Sequence, residues 1–307
     1  MSHFADRLAD AVREKGNPVL VGLDPRAAQI PDALKPDDEN PEAIAAAFTQ
    51  FCKGVIDTVA PLVPAVKPQA AFFEQYGAPG FAALQETVDY AKAKGLIVLL
   101  DGKRNDIGST ATAYAQGLIG GTKGSPMNAD ALTVSPYLGD DSLLPFVETC
   151  KEREAGIFVL VKTSNPGGGM FQDLVADGKP IYRHVAEYVE QRSVDTLGSG
   201  NYGLVGAVVG ATYPEQLAEL RETMSHVWIL IPGFGSQGGT AADVAAGFDA
   251  DGLGAIVNNS RGIIFAYSRS PYDERFGQAR WQDAVEAATL DMIEALRTET
   301  PAGQLKK

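Results

Sequence analysis

The sequence is poor in the residues that build disulfide frameworks and imidazole-based sites. Its 307 residues include two cysteines, Cys52 and Cys150, and three histidines. Two cysteines far apart in helix-like surroundings predict buried free thiols in a reducing compartment rather than a disulfide scaffold. None of the histidines follows a predicted strand, so the sequence supports neither histidine ligation of a metal nor a nucleophile activated by histidine.

Positive charge is also scarce. The chain has 26 Lys and Arg residues against 39 Asp and Glu residues, which gives a net charge of −13. Such an acidic chain is a poor partner for nucleic acid or an anionic membrane, and any bound phosphate must be met by a few placed donors. The longest apolar runs are too short to span a bilayer. The first residues have a helical pattern and do not resemble a signal peptide. These features predict a soluble cytoplasmic protein with no nucleic-acid or membrane partner.

What the chain has in abundance is short apolar runs. Eight of them are rich in Val, Ile and Leu without polar alternation, which is typical of strands buried on both faces of a parallel sheet. The runs are PVLVGLDP, PAVKPQ, LIVLLDGK, ALTVSPY, GIFVLVKTS, LVGAVVGAT, VWILIPGFG and GAIVNNSRG. Helix-like stretches lie between them, at 42–60, 79–94, 141–153, 182–197, 214–225 and 239–247. Eight β/α repeats predict an α/β fold, a closed (β/α)8 TIM barrel.

The barrel is predicted to form a single domain over residues 1–307. We expect an N-terminal helix at 2–15 and a C-terminal helix at about 281–298. The segments 26–40, 121–130 and 165–180 are interpreted as loop insertions, because no linker or charge block divides the chain. The last residues, TPAGQLKK, are expected to be a frayed tail.

Polar residues follow the apolar runs, at the C-terminal end of each predicted strand. They are Asp24, Lys67, Asp101 and Lys103, Ser135, Lys162 to Asn165, Thr212, Gln237 and Asn258 to Arg261. In a TIM barrel these ends converge on one mouth, where such folds place their chemistry. The sequence therefore predicts a site at this mouth.

The densest group of charges is the stretch DGKRNDIGST after the third run. If this strand is extended, Asp101 and Lys103 are two residues apart and point to the same side, into the barrel mouth. Asp106 lies beyond the strand and shares a face of the next helix with Thr110. The structural alternative is an ion-paired turn followed by an N-cap at Asp106.

This stretch resembles the Asp-x-Lys-Arg-x-Asp-Ile-x-x-Thr signature of the orotidine 5′-phosphate decarboxylase family, in its longer bacterial (type 2) form. Five further motifs resemble the family in the same order along residues 18 to about 265. They are VGLDP, VKPQAAFFEQYG, KTSNPGG, IPGFGSQGG and NNSRGI.

The resemblance implies a homodimer with shared active sites that works without a metal or cofactor. The implied reaction converts orotidine 5′-phosphate (OMP) to UMP and CO2, the last step of de novo UMP biosynthesis. Lys103 would protonate C6 of the pyrimidine as CO2 leaves, and Asp101 would lie beside the substrate carboxylate. Lys67 would bridge Asp101 and a ribose hydroxyl.

The resemblance also implies which residues bind substrate. Asp106, Ile107 and Thr110 would enter the active site of the neighbouring subunit, where Asp106 completes an alternating row of Asp and Lys. Asp24 would hold a ribose hydroxyl, and Ser164 would contact the amide edge of the pyrimidine.

The resemblance assigns the 5′-phosphate to Gln237 and Arg261, in the loops after strands seven and eight, with backbone N–H groups near Ser260 and Gly262. A physical argument agrees, because barrels commonly bind phosphate there, glycine-rich turns let N–H groups approach an anion, and arginine adds a bidentate contact. The resemblance also implies that Pro232 and Ser260 are substrate-binding residues. Many family members have glycine where this chain has Ser260, a change that leaves a backbone donor in place.

Two other functions remain open at this point. A metal-dependent sugar-phosphate aldolase or epimerase would share an Asp-x-Lys-x-x-Asp core, but Lys67 would repel the cation. A non-catalytic nucleotide-binding module would be expected to have lost one of the four charged residues Lys67, Asp101, Lys103 and Asp106. The loops 165–180 and 234–240 are expected to close over the ligand.

Overall fold

The computed structural model describes residues 3–235 and 238–305. Eight parallel strands close into a barrel in which each strand pairs with its neighbours in sequence and the last pairs with the first. The strands are β1 (Val19–Leu23), β2 (Ala65–Pro68), β3 (Ile97–Arg104), β4 (Ala131–Val134), β5 (Gly156–Lys162), β6 (Val205–Val209), β7 (Ile229–Ile231) and β8 (Ala255–Asn259). All eight predicted runs form these strands, and the predicted (β/α)8 barrel is confirmed.

The strands form where the sequence is apolar on both faces. Every residue of β1, β6 and β8 is buried, because side chains on one face fill the barrel and those on the other contact the helices. Burial of each large aliphatic side chain contributes about 1.5–3 kcal/mol relative to leaving it exposed. These strands therefore lack the alternation of apolar and polar residues that is expected for a sheet with one face exposed to solvent.

The helices surround the barrel and largely follow the predicted stretches. They are α1 (Phe4–Lys15), α2 (Pro41–Val59), α3 (Ala70–Glu74), α4 (Gly77–Ala93), α5 (Gly108–Leu118), α6 (Asp140–Arg153), α7 (Gly169–Gln172), α8 (Ile181–Val194), α9 (Pro214–Thr223), α10 (Ala241–Val244), α11 (Arg261–Ile264), α12 (Tyr272–Arg275) and α13 (Trp281–Glu299). In the described part of the chain, none combines the length and apolarity needed to cross a bilayer.

Three details differ from the sequence-based expectations. The stretch 239–247 is a short helix with a Thr240 capping box, followed by a 3-10 turn at Ala245–Gly247, rather than one continuous helix. The helix that was expected to hold Asp106 and Thr110 in its first turn begins only at Gly108, as α5, and Asp106 lies before it. The tail is ordered as far as the described residues extend, because Pro301–Gln304 forms a 3-10 turn and Leu305 is buried.

The N-terminal helix covers the bottom of the barrel, opposite the predicted site. It begins at Phe4 within the described residues, and the Phe4 ring packs edge-on against Phe158 of β5 at 6.3 Å between centroids. Arg7 donates to Asp130 Oδ1 at 2.9 Å and to the Glu154 carbonyl at 3.0 Å, just before β4 and β5. This end of a TIM barrel contributes stability, which leaves the opposite mouth for chemistry.

The predicted insertions contain short elements of their own. The segment 26–40 holds two 3-10 turns, Ala27–Gln29 and Asp32–Leu34. The segment 165–180 contains α7 and a small hairpin that pairs Val175–Ala176 with Lys179–Pro180. The second segment follows β5, so it stands at the mouth of the barrel.

Candidate active site

A cavity of about 570 Å³ opens at the C-terminal ends of the strands, where the sequence predicted a site. Eight of the predicted residues line it. They are Asp24, Lys67, Asp101, Lys103, Ser164, Pro232, Ser260 and Arg261. Gln237 lies outside the described residues.

The Asp101 carboxylate is the centre of this cavity's charged network. Lys67 Nζ donates to Oδ2 at 2.9 Å, and Lys103 Nζ donates to Oδ1 at 2.6 Å. Gln69 Nε2 adds a bond to Oδ2 at 2.8 Å, and Thr133 Oγ1 adds one to Oδ1 at 2.9 Å. Each carboxylate oxygen thus accepts two hydrogen bonds, which fixes both the position and the orientation of the group.

Burial and neighbouring charges shift the pKa values of Asp101 and Lys67 in opposite directions. Asp101 is 7% exposed, and its burial alone would raise the carboxyl pKa, but the charges of Lys67 and Lys103 and their hydrogen bonds hold that pKa well below its usual range. Burial alone would lower the pKa of Lys67, yet the charges of Asp101 and Asp24 raise it. The network therefore keeps a carboxylate anion and a buried ammonium group together at the barrel mouth.

The backbone at Lys103 is not the extended strand that the sequence predicted. Leu100 pairs with Leu132 and Arg104 with Val134, so residues 101–103 of β3 stand opposite Thr133 alone, in a bulge. Lys103 has φ +44°, in the left-handed region that costs a non-glycine residue about 1–3 kcal/mol. Lys103 still contacts Asp101, but it does so through the bulge and not through regular alternation.

Gln69 and Thr133 are site residues that sequence reasoning missed. Gln69 lies two residues beyond Lys67, a spacing that could have placed both on the same face of an extended chain. Thr133 is a hydroxyl inside the apolar run ALTVSPY, and it lies on a different strand, about 30 residues from the carboxylate that it contacts. A polar residue within a buried strand was the available signal.

Asp24 and Asn258, which line the same cavity, carry unpaired polar atoms. Asp24 Oδ1 and Asn258 Oδ1 are buried, and neither has a hydrogen-bond partner among residues 3–235 and 238–305. The sequence places Asn258 at a strand end but assigns it no role. Buried oxygens of this kind are suited to accept hydrogen bonds from the hydroxyl groups of a ligand.

The ends of β7 and β8 form the third part of the cavity. Pro232, Gly233 and Phe234 line it from β7, and Arg261 lines it from the first residue of α11. The Gly262 N–H, which was expected to face a phosphate, donates to Asn259 Oδ1 at 3.2 Å. Arg261 thus supplies positive charge at this end of the cavity.

Strand β1 approaches the end of β8 very closely. A Cβ atom added to Gly22 would lie 1.7 Å from Ser260 Oγ and 2.7 Å from Ser260 Cβ. Ser260 is buried in this contact, directly before Arg261. The seryl side chain therefore occupies the space that a side chain at position 22 would need.

The loop after β5 supplies Ser164 but directs Lys162 elsewhere. Lys162 is 1% exposed and forms an ion pair with Asp173 of the same loop. Its ammonium group lies 5.3 Å from the Tyr182 ring centre and 4.8 Å from that of Tyr213. Lys162 thus anchors the loop, whereas Ser164 lines the cavity.

Asp106, Ile107 and Thr110 are outside the cavity formed by the described residues of this chain. Asp106 Oδ1 accepts a hydrogen bond from the Ile107 N–H at 2.8 Å. The interpretation of Asp106 as an N-cap is wrong, because the N-cap position of α5 is Ile107, which has no capping oxygen. Ile107 is 53% exposed, and Tyr137 after β4 is 80% exposed.

The comparisons with known proteins agree on one family. The profile of the orotidine 5′-phosphate decarboxylase / HUMPS family matches residues 17–271. The orotidine 5′-phosphate decarboxylase of Rhodopirellula baltica is 56% identical over 301 residues, covering 97% of this chain and 100% of that protein. The one from Caldicellulosiruptor bescii is 41% identical over 280 residues, covering 87% and 91%.

A solved structure supports the same relationship. Leishmania donovani OMP decarboxylase is 35% identical and superimposes with a TM-score of 0.74, over 97% of this chain and 98% of that one. The similarity thus extends over nearly the whole barrel and includes the strand ends that form the cavity. The chain belongs to the orotidine 5′-phosphate decarboxylase / HUMPS family.

Proposed function

We propose that this protein is an orotidine 5′-phosphate decarboxylase, a carboxy-lyase that converts OMP to UMP and CO2 in the last step of de novo UMP biosynthesis. The observation that carries the proposal is the row Lys67, Asp101 and Lys103 at the cavity mouth, joined by contacts of 2.9 and 2.6 Å. It combines a fixed ammonium group with a fixed carboxylate, which is what the reaction requires.

The reaction is difficult because of the electron pair that it leaves behind. When the bond between C6 and the carboxylate carbon breaks, CO2 departs and the pair stays at C6, in a ring-plane orbital that cannot delocalise into the π system. The Lys103 ammonium group stabilises this charge as it develops. It then transfers a proton to C6, giving UMP, and the neutral amine regains a proton from solvent.

Asp101 acts on both the Lys103 ammonium group and the substrate carboxylate. Its four hydrogen bonds hold it anionic and hold the Lys103 ammonium group in place. Its charge also opposes the substrate carboxylate before CO2 leaves. We assign most of the rate enhancement to Lys103, because the ammonium group interacts with the transition state more strongly than with the ground state.

The remaining cavity residues fit the other parts of OMP. Asp24 and Lys67 are assigned to the ribose hydroxyls, and Ser164 to the amide edge of the pyrimidine. The 5′-phosphate is assigned to Arg261 and Gln237 with the backbone near Ser260. Pro232, which lines the same cavity, is assigned to substrate binding. Asp24, Lys67, Ser164 and Arg261 all line one cavity, which supports binding of a single nucleotide there.

We propose a homodimer in which Asp106, Ile107 and Thr110 enter the partner's cavity. Their positions outside the cavity of their own chain support this assignment. Ile107, Tyr137 and Leu138 are large apolar side chains left exposed after β3 and β4, a composition suited to a protein interface.

A cytoplasmic location is proposed from the cysteines. Cys52 and Cys150 are free and buried, and burial raises the pKa of both thiols. Buried thiols of this kind are compatible with a reducing compartment.

The test is an ultraviolet assay of OMP conversion, in which loss of the orotate chromophore is followed together with formation of UMP. The purified protein should consume OMP and release equal amounts of UMP and CO2. A chain that leaves OMP unchanged would overturn the proposal.

Metal removal should leave activity unchanged. The ammonium groups of Lys67 and Lys103 flank Asp101 and would repel a divalent cation. Among the described residues, no group of three or more Asp, Glu, His or Cys side chains could hold a metal ion. Rates of OMP conversion are compared before and after dialysis against EDTA, with residual metal measured by mass spectrometry. A loss that added Zn²⁺ or Mg²⁺ restores would favour the metal-dependent aldolase or epimerase class.

Replacing Arg261 with alanine should raise the KM for OMP by about 100-fold or more, because a charge-assisted bidentate contact to the phosphate is lost. Decarboxylation of orotidine, which lacks the phosphate, should change little. The control is Arg269→Ala, which removes an exposed arginine on the same segment. Equal losses with OMP and orotidine would show that Arg261 does not bind the phosphate.

A further inference from the structure

We propose that Thr133 is a positioning residue that holds the β3 bulge and so determines where the Lys103 ammonium group stands. The inference rests on the proposed decarboxylase function and adds to it a residue that does not itself contact the reacting atoms. The observation behind it is the register of β3 and β4, in which Thr133 is the one β4 residue opposite the three bulge residues 101–103.

A bulge removes regular ladder bonds, so its backbone groups need other partners. Here the Lys103 N–H donates to Thr133 Oγ1 at 2.9 Å. The regular ladder resumes immediately afterwards, where the Ser135 N–H donates to the Arg104 carbonyl at 3.0 Å. The Thr133 hydroxyl thus provides the hydrogen bond that the interrupted ladder does not.

The same hydroxyl also binds the carboxylate that Lys103 contacts. Thr133 Oγ1 donates to Asp101 Oδ1 at 2.9 Å, and Lys103 Nζ donates to that same oxygen at 2.6 Å. A hydroxyl has one proton and two lone pairs, so it can donate to Asp101 and accept from Lys103 at the same time. Thr133 therefore connects both ends of Lys103, its backbone N–H directly and its ammonium group through Asp101.

This arrangement explains how a strained lysine is held. Lys103 has φ +44°, and such a conformation persists when surrounding contacts over-determine it. Thr133 is 2% exposed on β4, so its own position is set by the barrel. Without the hydroxyl, we expect the bulge to relax towards extended backbone and the ammonium group to move away from the carboxylate.

The experiment compares Thr133→Val, which keeps the side-chain shape, with Thr133→Ser, which keeps the hydroxyl. Thr133→Val should lower kcat for OMP by roughly 100-fold, because displacement of a catalytic group by about 1 Å has effects of this size. KM and the affinity for UMP, measured by calorimetry, should change little, because Thr133 does not hold the ribose or phosphate. Thr133→Ser should restore most of the lost rate.

The matched control is Thr289→Val, since Thr289 is also buried but donates to the Val285 carbonyl within α13. Its kinetics should equal those of the wild type. The inference is overturned if the Thr133→Val variant has the same kinetics as this control. It is also overturned if the Thr133→Val and Thr133→Ser variants both lose kcat and UMP affinity together, because a general packing defect would have that effect. A crystal structure of Thr133→Val in which Lys103 keeps its positive φ and its contact with Asp101 would also overturn it. The crystal structure tests the inference without any measurement of turnover. If the wild-type protein is inactive on OMP, that result contradicts the proposed function and not the role of Thr133.

Discussion

Replacement of Lys103 by alanine should reduce kcat for OMP by about 10⁴-fold or more, because this one group is proposed to supply both the electrostatic stabilisation and the proton. Binding of UMP should persist, since the assigned ribose and phosphate contacts remain. The measurement is single-turnover decarboxylation with enzyme in excess, which separates the chemical step from product release.

The control for this prediction is Lys123→Ala, which removes an exposed lysine outside the cavity. It should retain the wild-type rate. Full activity in Lys103→Ala would refute the assigned role, whichever residue then proved to be the proton donor. Loss of UMP binding along with activity would indicate that the variant had lost the cavity as a whole.

Mixing Lys103→Ala subunits with Asp106→Ala subunits should restore activity that neither variant has alone. In the proposed dimer, one site of the mixed pair combines Lys103 from one chain with Asp106 from the other and is intact. Random exchange makes half of the dimers mixed, with one intact site in each, so the recovered rate should be about one quarter of wild type. Activity is measured after unfolding and refolding the two variants together at equal concentration.

A second mixture of variants serves as the control for this prediction. Lys103→Ala combined with Asp101→Asn should recover nothing, because both residues are proposed to act in the site of their own chain, where Lys103 contacts Asp101 at 2.6 Å. Failure of the first mixture to recover activity would contradict the shared site. Recovery in both mixtures would contradict the assignment of Asp101 and Lys103 to one chain's site.

The fold could be predicted because its signal is local and repeated. Each buried strand is a short run of Val, Ile and Leu, and eight such runs separated by helical stretches are compatible with few architectures. A helix after β3 was expected from Asp106 and Thr110, but its bounds could not be predicted, because the sequence GSTATAYAQGL has little apolar periodicity and the helix packs against α6. The ordered tail was missed for a similar reason, since Leu305 is buried by contacts with distant parts of the chain.

The site was predictable where residues close in sequence share a strand end. Asp101 and Lys103 were expected to meet, and the structure places them in contact. The bulge that produces this contact could not be foreseen, because it depends on Thr133, which belongs to another strand. Gln69 was likewise assigned no role, because its bond to Asp101 joins residues 32 positions apart.

The close approach of Gly22 to Ser260 has a consequence for how this chain can evolve. Ser260 fills the space next to Gly22, so any side chain at position 22 would displace Ser260 and with it the neighbouring Arg261. With glycine at position 260 both contacts with the serine would be absent, and the nearest neighbour of a Cβ atom at position 22 would be Asn258 Oδ1 at 3.2 Å. We therefore expect substitutions at positions 22 and 260 to be coupled, with alanine at position 22 costing less stability once the serine is lost.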